Sequence, residues 1–379
     1  MRKYALAAFG LAGLLALSAC AGEGAGSTGA GSEEQAPEDT LVGVAMPTQT
    51  SQRWIADGHA VKEGLEEEGY KVELQYANDD IPTQSRQIDQ MITSGADLLI
   101  IAPIDGTALS SQLDAAAAQD IPVVSYDRLI RDNENVNFYV TFDNYQVGVQ
   151  QATSLLTGMG VLDEDGNETD AEGPFNVELF AGSLDDNNAH FFWEGAMDTL
   201  QPYLDDGTLK VPSGQTDIEQ AAILRWQQEE AQKRMEDLLT TYKGGTELDG
   251  VLSAADMLSR GIITALKNAG MGDTIEEGLP IVTGQDADIA SVHLIDTDVQ
   301  YSTIFKDTRK LADEAATVAT TILSGEEPEA NDTETYDNGV KVVPSYLLES
   351  DIVTADNLQE LLIDSGYWTE EEVEAGVAE

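Results

Sequence analysis

Short apolar runs alternate with segments of helical spacing along most of the chain, and this alternation constrains the fold more than any other feature. Residues 41–46 (LVGVAM) are almost all apolar, as in a parallel strand that is buried on both faces. Helical spacing follows at residues 54–69, and the same succession continues to a fifth strand at 138–142. Such a succession predicts a doubly wound parallel sheet with right-handed crossovers.

The same pattern starts again after residue 144. Strands are predicted at 176–180, 250–253, 280–283 and 301–305, with helices between them and a last long helix at 308–323. The length that follows residue 40 is sufficient for two domains. The predicted fold class is therefore α/β, with two similar doubly wound parallel-sheet lobes.

The first forty residues differ in composition from the rest. A basic start (MRK) precedes an apolar run that is too short for a membrane span and is typical of a signal peptide. The run ends in LSAC, which resembles a bacterial lipobox, so residues 1–19 are predicted to be the signal peptide and Cys20 to carry lipid. Residues 20–40 are rich in Gly, Ala, Ser, Glu and Pro and are predicted to form a disordered tether. An ordinary signal peptide with an incidental cysteine is the alternative.

Charge and cysteine content exclude some classes of partner and site. Asp and Glu number 70 against 19 Lys and Arg, for a formal net charge of -51. A surface this acidic repels phosphate backbones, so nucleic acid is not expected as a partner. Cys20 is the single cysteine, so no intrachain disulfide is possible, and we predict no metal or cofactor. The acidic stretch 163–173 lacks the glycine position of an EF-hand loop and is interpreted as a solvated turn.

Polar side chains follow the predicted strands, at the point where each strand ends. In open α/β sheets, ligands bind beyond the carboxyl ends of the strands. Planar polar groups can each bind neighbouring hydroxyls of a sugar, and the C–H faces of the ring pack against aromatic rings. The candidate ligand-binding residues are Arg53, Trp54, Asp127, Arg128, Asp186, Asn188, Trp226, Asp256, Asp286 and Lys306.

Several of these residues also have a purely structural interpretation. Asp186 and Asp256 can cap the helices that follow them, since Asp is favoured at that position. Trp226 can be a core residue and Lys306 a solvated charge.

Seven segments carry a resemblance to a known family. They are RW (53–54), YDRLI (126–130), FDN (142–144), GS (182–183), DNNA (186–189), GQDA (284–287) and NGVKVVPS (338–345). Together they resemble the xylose-binding and multiple-sugar-binding proteins of bacterial importers, from residue 41 to about residue 367. The resemblance implies a type I periplasmic-binding-protein fold, in which two α/β lobes are joined by a three-segment hinge and close on a pyranose.

The resemblance also implies roles for the candidate residues. The polar candidates would be sugar contacts, and Trp54 and Trp226 would be stacking or wall residues. Where xylose-type members have an Asn before the Asp that matches Asp256, this chain has Ala255, which leaves the identity of the sugar open.

Lobe boundaries and partners follow from the same resemblance. The N-terminal lobe is expected at 41–144 plus 288–306 and the C-terminal lobe at 145–287 plus 307–379, with crossings near 144, near 288 and at 306–307. The expected partners are a monosaccharide, an ABC permease and the outer face of the cytoplasmic membrane through the lipid on Cys20. The protein is expected to be a monomer.

Three other functions are alternatives to sugar import. A glycosidase would use paired carboxylates, for which Asp185, Asp186 and Asp286 are available. The sequence has no nucleophile-elbow or phosphate-loop motif, so an enzyme is not expected. A module that presents its sugar-bound form to a receptor or sensor kinase is the second alternative. A cytoplasmic repressor is disfavoured, because the signal peptide and tether occupy the place of its DNA-binding helices.

Overall fold

The structure, a computed structural model, describes residues 36–242 and 246–378. The predicted signal peptide, Cys20 and the tether up to residue 35 lie outside the described residues. The last residues assigned to the tether belong to the fold. Pro37–Asp39 is a 3-10 helix, and the carbonyl of Thr40 accepts a hydrogen bond from the backbone N–H of Lys71 (3.0 Å).

The first lobe is built on a six-stranded parallel sheet. Its strands are β1 (Leu41–Met46), β2 (Lys71–Tyr76), β3 (Leu98–Ile101), β4 (Val123–Tyr126), β5 (Phe138–Phe142) and β11 (Ser345–Leu348), in the spatial order β11-β5-β4-β3-β1-β2. Gly43 lies in the buried part of β1, where a Cβ would come within 2.8 Å of Leu99 Cδ2 and 2.9 Å of Met91 Sδ. The sheet is thus packed tightly on the face that receives Met91.

Helices cover both faces of this sheet, as a buried parallel sheet requires. They are α1 (Gln52–Glu67), α2 (Ile81–Thr93), α3 (Ser110–Ala117) and α10 (Thr308–Leu323). On one face, Leu65 of α1 and Leu311 of α10 belong to the same core as Val44. On the other, Met91 of α2 and Leu113 of α3 are buried together.

The second lobe is built on a four-stranded parallel sheet. Its strands are β6 (Phe175–Phe180), β7 (Leu209–Lys210), β8 (Gly250–Ser253) and β9 (Ile281–Val282), in the order β7-β6-β8-β9. Its helices are α4 (Asn144–Gly158), α5 (Asn187–Asp206), α6 (Ile218–Ala221), α7 (Gln228–Leu239), α8 (Asp256–Asn268) and α9 (Ile289–Asp296). The helices α4 and α5 pack on one side of β6 and β8, and α7 and α8 on the other.

A small C-terminal unit completes the second lobe. The strands β10 (Thr303–Phe305) and β12 (Asp351–Val353) pair antiparallel, and a π-helical turn (Gln359–Ile363) and α11 (Glu370–Ala375) follow. Phe305, Val353, Leu362 and Val373 are buried together with Val292 of α9. This unit therefore packs on the helix that follows β9.

The chain passes between the lobes three times. The crossings lie between β5 and α4 at Asp143, between β10 and α10 at residues 306–307, and between β11 and β12 at residues 349–350. The crossing expected near residue 288 is wrong. Asp288 stays within the second lobe, where its carboxylate pairs with Arg260 (3.1 Å).

The observed lobe division differs from the expected one for the same reason. Residues 288–306 pack in the second lobe rather than the first, whereas 308–323 and 345–348 pack in the first rather than the second. An apolar stripe on a helix requires a partner surface but does not specify which of two similar sheets supplies it.

Two kinds of feature are absent from the described ranges. No helix there has the length and apolar character needed to cross a bilayer. Those ranges also contain no group of three or more His, Cys, Asp or Glu placed to hold a metal ion. In the acidic stretch 163–173, the carboxylate of Asp163 accepts hydrogen bonds from the backbone N–H groups of Asp165 (3.0 Å) and Asn167 (2.8 Å), which close the turn.

Candidate ligand-binding cleft

A cavity of about 430 Å³, part of it open to solvent, is lined by residues that follow the strands of both sheets. The lining residues are Ser51, Arg53, Trp54, Asp127, Arg128, Asp186, Asn188, Phe192, Trp226, Ala255, Met257, Gln285, Asp286 and Lys306. All the residues predicted from the sequence are present except Asp256.

The first lobe contributes Arg53 and Asp127. Arg53 lies in the first turn of α1 and pairs with the carboxylate of Asp127, which follows β4. Asp127 has a left-handed backbone (φ 59), and its carbonyl accepts hydrogen bonds from Tyr139 Oη (2.6 Å) and Thr141 Oγ1 (2.9 Å). These bonds hold the turn after β4 in place and direct the carboxylate toward the cavity.

The second lobe contributes Asp186, which has a structural and a site role at once. One carboxylate oxygen, Oδ1, accepts from the backbone N–H of Asn188 (3.0 Å) and caps α5. The other, Oδ2, accepts from Trp226 Nε1 (3.2 Å) and pairs with Arg128 Nε (3.0 Å). The helix-capping interpretation of Asp186 is therefore confirmed, and the same side chain also lines the cavity.

The hinge contributes Lys306, whose side chain is buried. Its ammonium group lies 2.9 Å from Asp286 Oδ1 and is within 6 Å of the ring centres of Phe142 (5.7 Å) and Phe192 (5.5 Å). Asp286 has a positive φ of 97°, an unusual conformation for an L-residue. The ion pair between Lys306 and Asp286 thus connects the crossing at 306–307 to the lining of the cavity.

The two acids that lie near both Arg53 and Lys306 stay ionised. Burial would raise the pKa of Asp127, but Arg53 and then Lys306 outweigh it and lower that pKa below its usual value. For Asp286, burial is likewise outweighed by Lys306 and then Arg53, and its pKa is lowered. Both groups therefore act as hydrogen-bond acceptors at neutral pH.

Asp186 behaves differently. Burial raises its pKa, Arg128 offsets part of that effect, and the nearby charge of Asp127 adds to the rise. The difference comes from the number of nearby cations. Arg53, Lys306 and Arg128 all lower the pKa of Asp127, whereas Arg128 is the cation that lowers the pKa of Asp186.

Contacts across the cleft bring the lobes together at the site. Arg128 of lobe 1 pairs with Asp186 of lobe 2, and Arg53 Nη1 reaches Asp286 Oδ1 (3.4 Å). Asn188 Nδ2 donates to the carbonyl of Asp127 (2.7 Å). The same side chains thus line the cavity and connect its two walls.

Comparisons with known proteins agree with this geometry. The periplasmic binding protein domain matches residues 42–327. The chain belongs to the periplasmic binding protein family. It is 49% identical over 333 residues to the multiple sugar-binding periplasmic receptor ChvE of Rhizobium radiobacter, covering 88% of this chain and 92% of that one. It is 34% identical to the D-xylose-binding periplasmic protein of Escherichia coli, covering 89% of this chain and 93% of that one.

A solved structure shows the same architecture. The solute-binding protein of an ABC transporter from Clostridium phytofermentans, with bound β-D-glucose, superposes with a TM-score of 0.82 at 45% identity. The match covers 88% of this chain and 100% of that chain. The type I periplasmic-binding-protein fold predicted from the sequence is confirmed.

Asp256 is not part of the cleft of this periplasmic binding protein. It is fully buried at the start of α8, and its carboxylate accepts from Gln300 Nε2 (2.8 Å), Thr303 Oγ1 (3.0 Å) and the backbone N–H of Asp288 (2.9 Å). Burial and the nearby Asp288 charge raise its pKa well above the usual value. Its assignment as a ligand contact is corrected to a structural role, because a residue after a strand can point behind the sheet edge as well as beyond it.

Five lining residues were not among the predicted contacts. Phe192 lies in α5, four residues after Asn188, and Gln285 directly precedes Asp286, so each lies close in sequence to a predicted contact. Ala255 and Met257 flank the buried Asp256, so the residue on each side faces the cavity while Asp256 faces inward. Ser51, the remaining one, carries no sequence signal that separates it from an ordinary loop residue.

Proposed function

We propose that this protein is the extracytoplasmic monosaccharide-binding component of an ABC importer, and that it binds an aldopyranose by hinge closure. The observation that carries the proposal is a cavity whose polar walls come from both lobes and from the hinge, in a chain of the periplasmic binding protein family. The predicted contacts that line it are proposed as the sugar-binding residues. They are Arg53, Trp54, Asp127, Arg128, Asp186, Asn188, Trp226, Asp286 and Lys306.

The chemistry of the cavity suits a neutral polyhydroxylated ring. Three carboxylates and three cations line it, and each carboxylate lies against a cation, so a neutral ligand needs no counter-charge. A sugar hydroxyl can donate to a carboxylate and accept from a guanidinium at once. Phe192 and Trp226, whose ring centres are 6.4 Å apart, offer an apolar surface for the C–H face of the ring.

Known relatives support the ligand class. Proteins at 49% and 47% identity are named multiple sugar-binding proteins, and one at 34% identity is named for D-xylose. Two solved relatives hold β-D-glucose and D-glucose, at 45% and 34% identity. We therefore propose an aldohexose or aldopentose in its pyranose form.

Binding without chemistry is part of the proposal. In a glycosidase, a general acid must release a proton to the leaving group. The pKa of Asp186 is raised as such an acid requires, but Oδ2 is held by Arg128 and Trp226, and Oδ1 caps α5. The carboxylate is therefore held as an acceptor in the wall, where a remaining lone pair can accept from a sugar hydroxyl, and is not placed to deliver a proton.

The partner and the membrane attachment follow from the family and the sequence. We propose an ABC permease as the partner and lipid attachment through Cys20, with the mature chain working as a monomer. A Cys20→Ser variant is expected to leave the membrane fraction of the expressing cells. Its retention there at the level of the parent would contradict lipid attachment.

Calorimetry on the mature chain tests the proposal as a whole. D-glucose, D-xylose, D-galactose and L-arabinose would each be titrated into the protein, and at least one is expected to bind with micromolar affinity or better, about -8 kcal/mol. Chromatography of the sugar after incubation should return it unchanged. A sugar that is converted would indicate an enzyme, and no binding in the panel would reject the ligand class.

A further inference from the structure

The loop that carries Trp226 has an unusual backbone. Arg225 and Trp226 are consecutive residues with left-handed φ values of 53° and 56°. A left-handed L-residue costs roughly 1–2 kcal/mol, so two in succession persist only where other contacts hold them. The loop therefore has a conformation that its surroundings impose.

Lobe 2 supplies part of that support. The backbone N–H of Arg225 donates to Ser183 Oγ (2.7 Å), and the side chain of Ser183 in turn donates to the carboxylate of Asp185. Gly182 lies directly beneath the indole, where a Cβ would come within 2.0 Å of Trp226 Cη2. The turn after β6 is thus shaped to receive this loop.

Lobe 1 supplies the other part. Arg225 Nη1 donates to the backbone carbonyl of Asp79 (3.0 Å), in the turn between β2 and α2. That turn is itself held, because Asn78 and Asp79 are left-handed (φ 52° and 59°) and the backbone N–H of Asp79 donates to the carbonyl of Pro47 (2.9 Å). Arg225 is not among the residues that line the cavity, so this contact lies outside the proposed sugar contacts.

We infer that Arg225 is an interlobe latch that is formed on closure and sets how long the ligand stays bound. The inference rests on the proposed function, since it assigns a positioning residue for the same cleft. Arg225 and Trp226 are adjacent, so the group that reaches across the cleft and the wall of the cavity move as one loop. Opening of the lobes must break the bond to Asp79 before Trp226 is free to release its ligand.

Substitution of Arg225 by Asn tests the latch. Asn tolerates a left-handed backbone but is too short to reach the opposite lobe. With D-glucose as the probe, the dissociation rate measured by stopped-flow tryptophan fluorescence should rise about threefold to tenfold, as loss of one charge-assisted hydrogen bond at an exposed site predicts. The association rate and the melting temperature of the sugar-free protein should stay close to those of the parent.

An Arg86→Asn variant is the matched control. Arg86 is exposed on α2, and its guanidinium bonds only to Pro82 and Thr83 of its own helix among the described residues. The control removes the same charge without a cross-lobe contact and should keep the parent dissociation rate. Equal dissociation rates in the parent and Arg225→Asn would overturn the latch.

A second measurement separates this inference from the proposed function. Spin labels would be placed at Asp89→Cys in lobe 1 and Gln201→Cys in lobe 2, both exposed positions, in a Cys20→Ser background. With saturating D-glucose, Arg225→Asn is expected to shift the distance distribution toward longer separations than the parent shows. If the parent binds no D-glucose, the proposed function fails. If both proteins bind D-glucose and their distributions at saturation coincide, the latch alone is overturned.

Discussion

Asp57 lies beneath the cleft, one helical turn after Arg53. Its side chain is fully buried, with Oδ1 accepting from Tyr126 Oη (2.6 Å) and Oδ2 lying 3.3 Å from Arg53 Nε. Burial raises the pKa of Asp57 to about 7, although Arg53 and Tyr126 each lower it in part. A buried acid that titrates near neutral pH makes the stability of this lobe depend on pH.

The sign of that dependence follows from proton linkage. The unfolded pKa of Asp is about 3.9, so the folded state binds more protons between about pH 4 and pH 7. The contribution of Asp57 is therefore fully present below about pH 4 and is lost as the pH rises through about 7. An Asp57→Asn variant keeps an acceptor for Tyr126 but cannot ionise, so its melting temperature should fall less than that of the parent between pH 5 and pH 8.

Scanning calorimetry at the two pH values measures this difference. The control is Asp120→Asn, which makes the same charge change at an exposed turn residue whose left-handed backbone suits Asn. Parallel pH profiles for Asp57→Asn and the parent would show that Asp57 does not carry the effect.

Truncation of Asp256 is expected to lower the stability of the fold, whereas truncation of Asp127 is expected to lower the affinity for sugar. Asp256→Ala leaves Gln300 Nε2, Thr303 Oγ1 and the N–H of Asp288 without their buried acceptor, at about 1–3 kcal/mol for each unsatisfied group. Asp127→Ala removes a cleft carboxylate and should weaken sugar binding by roughly 2–5 kcal/mol. In urea unfolding, Asp256→Ala should be the less stable variant. In calorimetric titration, Asp127→Ala should be the weaker binder.

The opposite result would indicate that Asp256 contacts the ligand after all. In that case Asp256→Ala would lose affinity while its unfolding free energy stayed near that of the parent.

At the scale of elements, the contact between α4 and α5 joins the hinge to the site. Two glycines let these helices approach: a Cβ on Gly148 would lie 2.1 Å from the carbonyl oxygen of Phe192, and one on Gly195 would lie 2.1 Å from that of Tyr145. The helix α4 begins at the first crossing, and the start of α5 carries Asn188. Their spacing therefore fixes the wall of the cleft relative to the hinge.

A Gly195→Ala variant should separate the two helices. Overpacking of this kind costs about 1–3 kcal/mol, and the displaced start of α5 should weaken sugar binding as well. Gly64→Ala is the matched control, since Gly64 is also within a helix and its Cβ would meet only Ala316 Cβ, at 3.6 Å. The control should be as stable as the parent or more stable by up to about 1 kcal/mol. Equal stability and affinity in Gly195→Ala and the parent would contradict the packing argument.

At the scale of the whole molecule, closure links binding to transport in the proposed function. On this proposal, a ligand held by Asp127 from one lobe and Asp186 from the other has its full set of contacts only when the lobes are together. That difference in contacts shifts the population toward the closed form. A permease can then distinguish loaded from empty protein by shape.

Small-angle scattering with and without saturating sugar measures this closure. The radius of gyration is expected to decrease on saturation, with the three crossings at 143, 306–307 and 349–350 acting as the hinge. A radius of gyration and a lobe separation that stay constant on saturation would contradict closure on sugar binding.

The alternation of apolar runs and helical spacing was sufficient to predict two α/β lobes and the position of the cleft. Parallel strands end at a common edge whatever their order in the sheet, so residues such as Asp127, Asp186 and Asp286 are brought together by a pattern that is local in sequence. The side chains there are also the ones that the resemblance to sugar-binding proteins selected.

Only the tertiary structure decided which lobe receives each late element. The apolar stripe of α10 fits either sheet, and the sequence of a strand as short as β11 does not indicate which strand it pairs with. Sequence reasoning therefore placed a crossing near residue 288 instead of at residues 349–350. The same limit applies to single residues, since Ala255 and Met257 face the cavity while Asp256 between them faces inward. Whether Arg225 reaches Asp79 also depends on how two lobes that are distant in sequence are positioned, and local sequence patterns do not encode that distance.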